Sequence, residues 1–371
     1  MEWNKLRAYL MKIAMPLLLG GAILYWMYRG FDFQTVRHVM LHEMNWTWML
    51  LSFPFGIMAQ VFRGWRWKQT LDPVAFAGSE ERGARNEERG TRSEERGARS
   101  EVRKSTCVYA VFVSYAASLV IPRIGEFTRC GVLKRYDGVS FSKALGTVVT
   151  ERAVDTVTVM LYSGIILLFE MSIFGTFFRK TGTSFDRILS GFSMTGYLVT
   201  AVCAVAALLL LHILLKRLSI YNKVKTTMSG ILDGVLSLRG IKNLPLYLAF
   251  TAGIWGCYFL HFYLTFFCFD FTGDLGIGCA LVCFIVGNFA VVVPTPNGAG
   301  PWHFAVKTML ILYGVADVQA LYFVLIVHTV QTLLVMLLGV WAWLRLSFVA
   351  RSEEGGARNE ERDDKIKKDI I

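Results

Sequence analysis

The sequence CVYAVFVSYAASLVI at residues 107–121, followed by PRIGEFTR at 122–129, decides the fold of this chain. The apolar run has 15 residues, whereas a helix needs about 20 residues to cross a bilayer. Basic residues stand on both sides of it, and such residues mark cytoplasmic loops. Pro122 and Gly125 interrupt the helix after the run. We therefore predict that this segment enters the membrane and returns to the same side as a broken, re-entrant helical hairpin.

The overall composition also indicates a membrane protein. Of 371 residues, 54% are hydrophobic and 18% are charged, with a net charge of +11, whereas soluble domains carry about 25% charged residues. The most charge-dense tracts are close to neutral, so the positive charge belongs to the apolar remainder. This composition excludes an ordinary soluble nucleic-acid-binding protein. No phosphate-binding motif of the G-x-x-x-x-G-K-[ST] type is present, and we expect no cofactor.

Long apolar runs predict an all-α polytopic protein of the cell (inner) membrane, with about six full spans and both termini cytoplasmic. The spans are predicted at 6–27, 46–61, 140–170, 192–215, 246–269 and 316–344. A second broken hairpin is predicted around PTPNGAGP at 294–301, opening to the exterior. Two hairpins of opposite orientation are what an inverted-topology repeat would produce.

Two charged tracts divide the chain into predicted segments. Residues 1–77 and 106–349 form the membrane domain, 78–105 form an insertion, and 350–371 form a tail. The insertion repeats the sequence SEERGAR, and similar sequences occur again in the tail. Each repeat contains glycine and almost nothing hydrophobic, so we predict that both tracts are disordered.

Two clusters of charged residues follow each other in the sequence, and the second is predicted at membrane depth. Glu126 and Arg129 are three residues apart on the returning half-helix, and so share a face. Glu151 and Asp155 are four apart on the next helix, with Arg152 within reach of Asp155. At ~1.5 Å per residue, Asp155 lies about 16–22 Å along that helix, inside a ~30 Å hydrocarbon core.

Ionisable groups at that depth usually face a partner or a wet cavity. One interpretation of the cluster is a structural network of salt bridges, and the other is a substrate pathway. Arg123, Arg129 and Arg152 outnumber what a minimal network requires, which favours the pathway.

A third cluster surrounds the glycines of the 294–301 motif. Gly298 and Gly300 permit tight backbone geometry, and Pro301 suits the first position of a helix. We predict a half-helix at 302–313 whose N-terminus, together with the arginines, suits a phosphate; a plain kink in a packed helix is the alternative. The predicted substrate-binding residues here are Asn297, Gly298, Gly300, Trp302 and His303.

Arg63 and Arg66 stand in the sequence FRGWRW, where the second span is predicted to end. Aromatic neighbours of this kind are typical of residues at the membrane interface. We predict that both are interface residues, with contact to a lipid headgroup as a further interpretation. The histidines show no metal-ligand spacing, and no metal site is predicted.

These motifs resemble a known family. PRIGE-x-x-R at 122–129, followed by GVSFSKALGTVVTER-x-x-D at 138–155, is similar to the central signature of the lysylphosphatidylglycerol synthase transmembrane-region family of flippase-like proteins. P-x-P-x-G-x-G at 294–300 resembles its second signature. Many members carry an acidic residue after those glycines, where this sequence has Pro301, Trp302 and His303. No soluble aminoacyl-transferase domain follows the last predicted span, so synthase activity is not expected.

The resemblance implies a flippase-like function, because its best-understood members, the multiple peptide resistance factors, move aminoacylated phosphatidylglycerol between leaflets. We expect this chain to bind and translocate an anionic phospholipid or lipid-linked headgroup. The arginines at 123, 129 and 152 would hold phosphate, while the acids at 126, 151 and 155 balance charge or contact an amine. The alternatives are an integral-membrane transferase, with two of those acids as acid and base, or an accessory subunit. Expected partners are membrane lipids and no nucleic acid; a homo-oligomer is left open.

Overall fold

The computed structural model describes residues 25, 33–88, 102–169 and 240–370. Every regular element within these residues is helical, which confirms the predicted all-α class. The predicted spans at 6–27 and 192–215 lie almost entirely outside the described residues.

The helices in chain order are α1 Phe33–His38, α2 Trp46–Glu88, α3 Lys104–Val120, α4 Ile124–Tyr136, α5 Phe141–Phe169, α6 Leu244–Tyr263, α7 Asp270–Gly273, α8 Gly276–Ala290, α9 Pro301–Leu312 and α10 Asp317–Ile370. A π-helical turn at Val39–Glu43 follows α1. Short 3₁₀ turns occupy Leu264–Cys268, directly after α6, and Pro296–Gly298, before α9.

Two of the described helical segments are long and apolar enough to cross a membrane, Leu244–Cys268 and Asp317–Phe348. Helices α3 and α8 are apolar but shorter, as the hairpin interpretation requires. Large apolar side chains are exposed along α5 and α10, among them Leu161, Leu168 and Trp343. Such continuous apolar surface suits contact with lipid rather than water. The count of six spans stays a prediction.

The first hairpin consists of α3 and α4, which pack against each other. Arg123 adopts a left-handed backbone conformation with φ 62° at the turn, and α4 begins at the next residue. The Gly125 N–H donates to Ser118 Oγ at 3.2 Å. A Cβ atom on Gly125 would overlap the Ser114 carbonyl oxygen, so the two helices can approach this closely only because residue 125 is glycine.

The second hairpin consists of α8 and α9, which also pack together. Its connection contains left-handed residues at Asn297 (φ 52°) and Gly298 (φ 69°), and Pro301 opens α9 as predicted. The Arg123 guanidinium donates to the Val292 carbonyl oxygen at 3.0 Å, so the tips of the two hairpins are in contact. Re-entry into the membrane and the inverted repeat stay predictions.

Both charged tracts are helical where the structure describes them. Helix α2 continues to Glu88 and α10 to Ile370, while most of the insertion lies outside the described residues, and the predicted disorder of the two tracts stays a prediction. The division of the chain into domains stays a prediction.

Helix α2 positions the site because its faces meet several partners. It runs antiparallel to α6, with Phe62 stacked on Phe250 near one end of the contact and Gly56 against His261 near the other. It also packs against α3 and α5. The middle of α2 is therefore enclosed by other helices, and any polar residue there must find partners inside the protein.

Candidate functional site

Two arginines of α2 and two acids of α5 form a closed ionic network. Arg63 Nη1 donates to Glu151 Oε1 and to Asp155 Oδ2, both at 2.7 Å. Arg66 Nη2 donates to Asp155 Oδ1 at 2.7 Å and to Glu151 Oε1 at 3.2 Å. The residues are three apart on α2 and four apart on α5, so each pair presents one face to the other helix.

Arg129 of α4 joins the network from the first hairpin. Its Nη1 donates to Glu151 Oε2 at 2.6 Å, and its guanidinium lies over the Trp67 ring at 4.7 Å from the centroid. The Trp67 ring is held in turn by a hydrogen bond from its Nε1 to Thr147 Oγ1 at 2.9 Å. We call these five residues, Arg63, Arg66, Arg129, Glu151 and Asp155, the buried arginine cluster.

The buried arginine cluster holds more positive than negative charge. Its arginine side chains are 3%, 0% and 2% exposed in chain order, and the Glu151 and Asp155 side chains 1% and 8%. All four carboxylate oxygens accept from an arginine, yet three cations face two anions. Among the described residues, no hydrogen-bond partner reaches Nε of the three arginines or Nη2 of Arg129. Buried donors without acceptors are costly, so the cluster is suited to receive an anion.

A half-exposed ion pair lies at the edge of the cluster. Arg152 Nε is 3.3 Å from Glu126 Oε1, and the two side chains are 41% and 37% exposed. The Arg152 guanidinium is also 3.6 Å from Glu151 and 3.8 Å from Asp155. The Arg152 side chain therefore reaches from the protein surface to the acids of the cluster. The pair of Arg152 and Glu126 marks where the cluster opens between α4 and α5.

Hydroxyl groups that the sequence analysis missed line the other side of the cluster. Thr251 Oγ1 accepts from Arg66 Nη1 at 3.2 Å, and the Tyr247 and Tyr258 rings lie 5.7 and 5.9 Å from the guanidinium groups of Arg66 and Arg63. The Tyr258 hydroxyl donates to the Tyr115 hydroxyl at 2.9 Å. The signal was present: positions 247, 251 and 258 form a polar stripe on one face of the apolar helix α6.

A comparison with known families identifies the family of the chain that carries this site. Residues 13–339 match the family described as Lysylphosphatidylglycerol synthase TM region. The chain belongs to that family. The match includes both hairpins and the whole buried arginine cluster, so the family predicted from the two signatures is confirmed, and the chain is a helical membrane protein. No curated protein and no solved structure matched the chain.

Five residues of the central signature come together in the structure. Glu126 and Arg129 both face α5, where they meet Arg152 and Glu151 respectively, and Asp155 completes the set. Arg123 does not join them. It is exposed at the hairpin tip, and its guanidinium donates to the backbone of the second hairpin.

The structure places the side chains of Arg63 and Arg66 inside the protein, and their predicted position at the membrane interface stays a prediction. Both side chains are buried in the protein and paired with acids of α5. The reason is that α2 does not end near Val61 but continues to Glu88, so these residues lie in mid-helix. The positive-inside rule reads an arginine as a loop marker and has no means of recognising a buried one.

The residues of the second signature form a separate polar group with α10. Asn297 Nδ2 donates to Thr332 Oγ1 at 2.6 Å, and the Asn297 carbonyl oxygen is 3.1 Å from His328 Nε2. The Gly300 N–H donates to His303 Nδ1 at 3.3 Å. The His303 and His328 ring centroids are 4.4 Å apart.

Trp302 packs edge-on against His303, and a Cβ on Gly287 would contact the Trp302 ring. The contacts of Asn297, Gly298, Trp302 and His303 therefore close the second hairpin and fasten it to α10. Their predicted role in binding substrate stays a prediction. Among the described residues there is no group of three or more His, Cys, Asp or Glu side chains suited to hold a metal ion.

Proposed function

We propose that this chain is a flippase-like protein of the cell membrane, which binds an anionic phospholipid or lipid-linked headgroup and moves it between the leaflets. The observation that carries the proposal is the excess of positive charge in the buried arginine cluster. Ionisable residues in a membrane interior generally mark a substrate or ion pathway. Phosphate oxygens are the acceptors that the fork of an arginine matches best.

The half-exposed pair of Arg152 and Glu126 supplies the entrance in this proposal. Its contacts of 3.3–3.8 Å are longer than those inside the cluster, so an arriving phosphate can displace them at little cost. The apolar side chains of Leu161 and Leu168 are exposed further along α5. A lipid can therefore keep its acyl chains against an apolar surface while its headgroup enters.

The two hairpins are the moving parts in this proposal. Discontinuous helices that meet at a central site are the usual device for exposing that site to either side of a membrane in turn. Arg129 belongs to the first hairpin, and the tip of that hairpin contacts the second through Arg123. Movement of one hairpin against the other would change which leaflet the cluster faces, with both chain termini remaining cytoplasmic.

A transferase is the second candidate carried over from the sequence, with Glu151 and Asp155 as acid and base. Every carboxylate oxygen of the two residues already accepts from an arginine. No contact of these acids favours proton transfer to a substrate. The transferase and the accessory subunit therefore enter as outcomes of the test below.

The test compares lipid movement in proteoliposomes containing wild type, Arg129→Gln and Arg103→Gln. Arg103 is a matched control, because it is an arginine of the first hairpin region whose Nε pairs with Asp137 at 2.8 Å, away from the cluster. We expect Arg129→Gln to slow translocation at least about tenfold, since a charge-assisted hydrogen bond is worth about 1.5–3 kcal/mol. The control should move lipid at the wild-type rate.

Three results are informative about the alternatives. Wild-type protein that moves no lipid from a panel of anionic, zwitterionic and lipid-linked headgroups contradicts the proposal and favours the accessory subunit. Lipid recovered with a changed headgroup supports the transferase. Equal rates for Arg129→Gln and Arg103→Gln show that the cluster stabilises the fold without contacting substrate.

A further inference from the structure

We infer that the buried arginine cluster selects a phosphodiester headgroup that carries one negative charge and no amine. The inference rests on the proposed function and adds the chemical class of the substrate. It depends on three features of the cluster: the size of its charge excess, the occupancy of its carboxylates, and the free edge of one guanidinium group.

The charge excess of the cluster is one unit. Three buried guanidinium groups face the two carboxylates of Glu151 and Asp155, and the edge pair of Arg152 and Glu126 balances itself. A phosphodiester carries one negative charge at neutral pH. Its binding would therefore make the buried group neutral, which is the least costly state for charges removed from water.

The carboxylates of the cluster are already paired with arginines, so an ammonium group would have to compete with guanidinium groups for the same oxygens. Glu151 accepts through both oxygens, from Arg63, Arg66 and Arg129, and Asp155 does the same with Arg63 and Arg66. A zwitterionic or aminoacylated headgroup would bring a cation beside these guanidinium groups without an anion to receive it. Like charges placed together in a site of low dielectric are strongly disfavoured.

The free edge of Arg129 fits the two non-bridging oxygens of a phosphodiester. Its Nη1 is used by Glu151, whereas among the described residues its Nε and Nη2 have no hydrogen-bond partner. Adjacent guanidinium N–H groups of this kind bind phosphate through two parallel hydrogen bonds. The Trp67 ring holds the plane of the guanidinium from one face, so this donor edge is fixed in direction before the ligand arrives.

The experiment measures headgroup preference with the full chain in phosphatidylcholine vesicles. Trace lipids with labelled acyl chains report movement of phosphatidylglycerol, phosphatidylethanolamine and an aminoacylated phosphatidylglycerol. We expect phosphatidylglycerol to move at least about tenfold faster than either amine-bearing lipid, because an unpaired cation in the site costs more than 1.4 kcal/mol.

A substitution in the cluster tests whether the cluster causes the preference for phosphatidylglycerol. Arg129→Gln removes both the excess charge and the free donor edge, so the ratio of phosphatidylglycerol to phosphatidylethanolamine movement should fall towards one. Arg103→Gln, whose ion pair lies outside the cluster, should keep the wild-type ratio. A folded Arg129→Gln protein with the wild-type ratio would overturn the inference.

The ratio of phosphatidylglycerol to phosphatidylethanolamine movement in the wild-type protein also tests the inference, even if Arg129→Gln does not fold. Equal movement of phosphatidylglycerol and phosphatidylethanolamine, or faster movement of an amine-bearing lipid, overturns the selectivity and leaves the proposed function standing. Absence of movement for every lipid overturns the proposed function itself.

Discussion

At the scale of single residues, the arginines of the cluster are expensive to bury and cannot be removed singly without cost. Taking an ion pair out of water costs several kcal/mol, which is offset only when each charge keeps good partners. Arg66 illustrates this, because its guanidinium contacts Asp155, Glu151 and Thr251 at 2.7–3.2 Å. The network therefore stabilises the packing of α2 on α5 and leaves its surplus charge for a ligand.

A double-mutant cycle tests this coupling. Arg66→Met and Asp155→Leu should each lower the free energy of unfolding by about 3–5 kcal/mol, since each leaves a buried charge short of a partner. The double variant should lose less than the sum, by more than about 1 kcal/mol. Denaturation in detergent measures the four proteins.

The matched control for this cycle is the pair of Lys307 and Asp317, whose Nζ and Oδ1 atoms are 2.9 Å apart but whose acid is mostly exposed. Its coupling should stay below about 1 kcal/mol, as is usual for surface pairs. Additive losses for the Arg66 and Asp155 variants would contradict the interpretation of the cluster as one interacting unit.

The sequence placed three of the five cluster residues together and left out the other two for a physical reason. Arg129, Glu151 and Asp155 were found because helical spacing and depth are properties of a single segment. Arg63 and Arg66 were not joined to these acids, because that pairing depends on which helix packs against α2. The same spacing rule applied to α2 would have shown two arginines on one face, opposite two acids on a face of α5.

At the scale of elements, the hairpins depend on close backbone contact at their turns. In the first hairpin, Gly125 lies against the Ser114 carbonyl, and a Cβ atom at position 125 would force the backbone to move. In the second, Gly298 has φ 69° and lies against the side chain of Val291. Local signals of this kind allowed the bounds of α9 to be predicted closely, whereas the lengths of α2 and α10 depend on the charged tracts that follow them.

A glycine comparison within one helix tests the close contact. Gly125→Ala should destabilise the protein by about 1–3 kcal/mol, because overpacking forces the backbone of α3 away from α4. Gly131 is the control, since it lies in the same helix and a Cβ there would meet no atom within 4 Å. Gly131→Ala should be neutral or stabilise by up to about 1 kcal/mol. Melting in detergent measures both, and equal effects would contradict the packing argument.

At the scale of the whole molecule, the two hairpins and the last helix form a connected unit. A Cβ on Gly339 of α10 would overlap Ala116 of α3, so the first hairpin packs closely on α10. The second hairpin is fastened to the same helix through Asn297 and Thr332. The two hairpins also touch each other directly. The Pro296–Gly298 turn of the second hairpin packs against α3, and at the tips the exposed Arg123 side chain donates a hydrogen bond to the Val292 carbonyl.

At the contact between Arg123 and Val292, a reducible cross-link can block relative movement of the hairpins and reduction can restore it. In an Arg123→Cys, Val292→Cys protein, a reducible thiol cross-linker about as long as an arginine side chain should join the two tips. If the hairpins move against each other during transport, cross-linking should abolish lipid movement and reduction should restore it. Each single-cysteine protein, treated identically, is the control for modification of the native cysteines, of which Cys107, Cys130, Cys268, Cys279 and Cys283 are buried.

Binding of phosphatidylglycerol should persist in the cross-linked protein, because Arg129 and its free edge remain in place. A cross-linked protein that still moves lipid at the wild-type rate would show that the tips stay together throughout transport, and the movement would then have to be sought in the helices of the cluster itself.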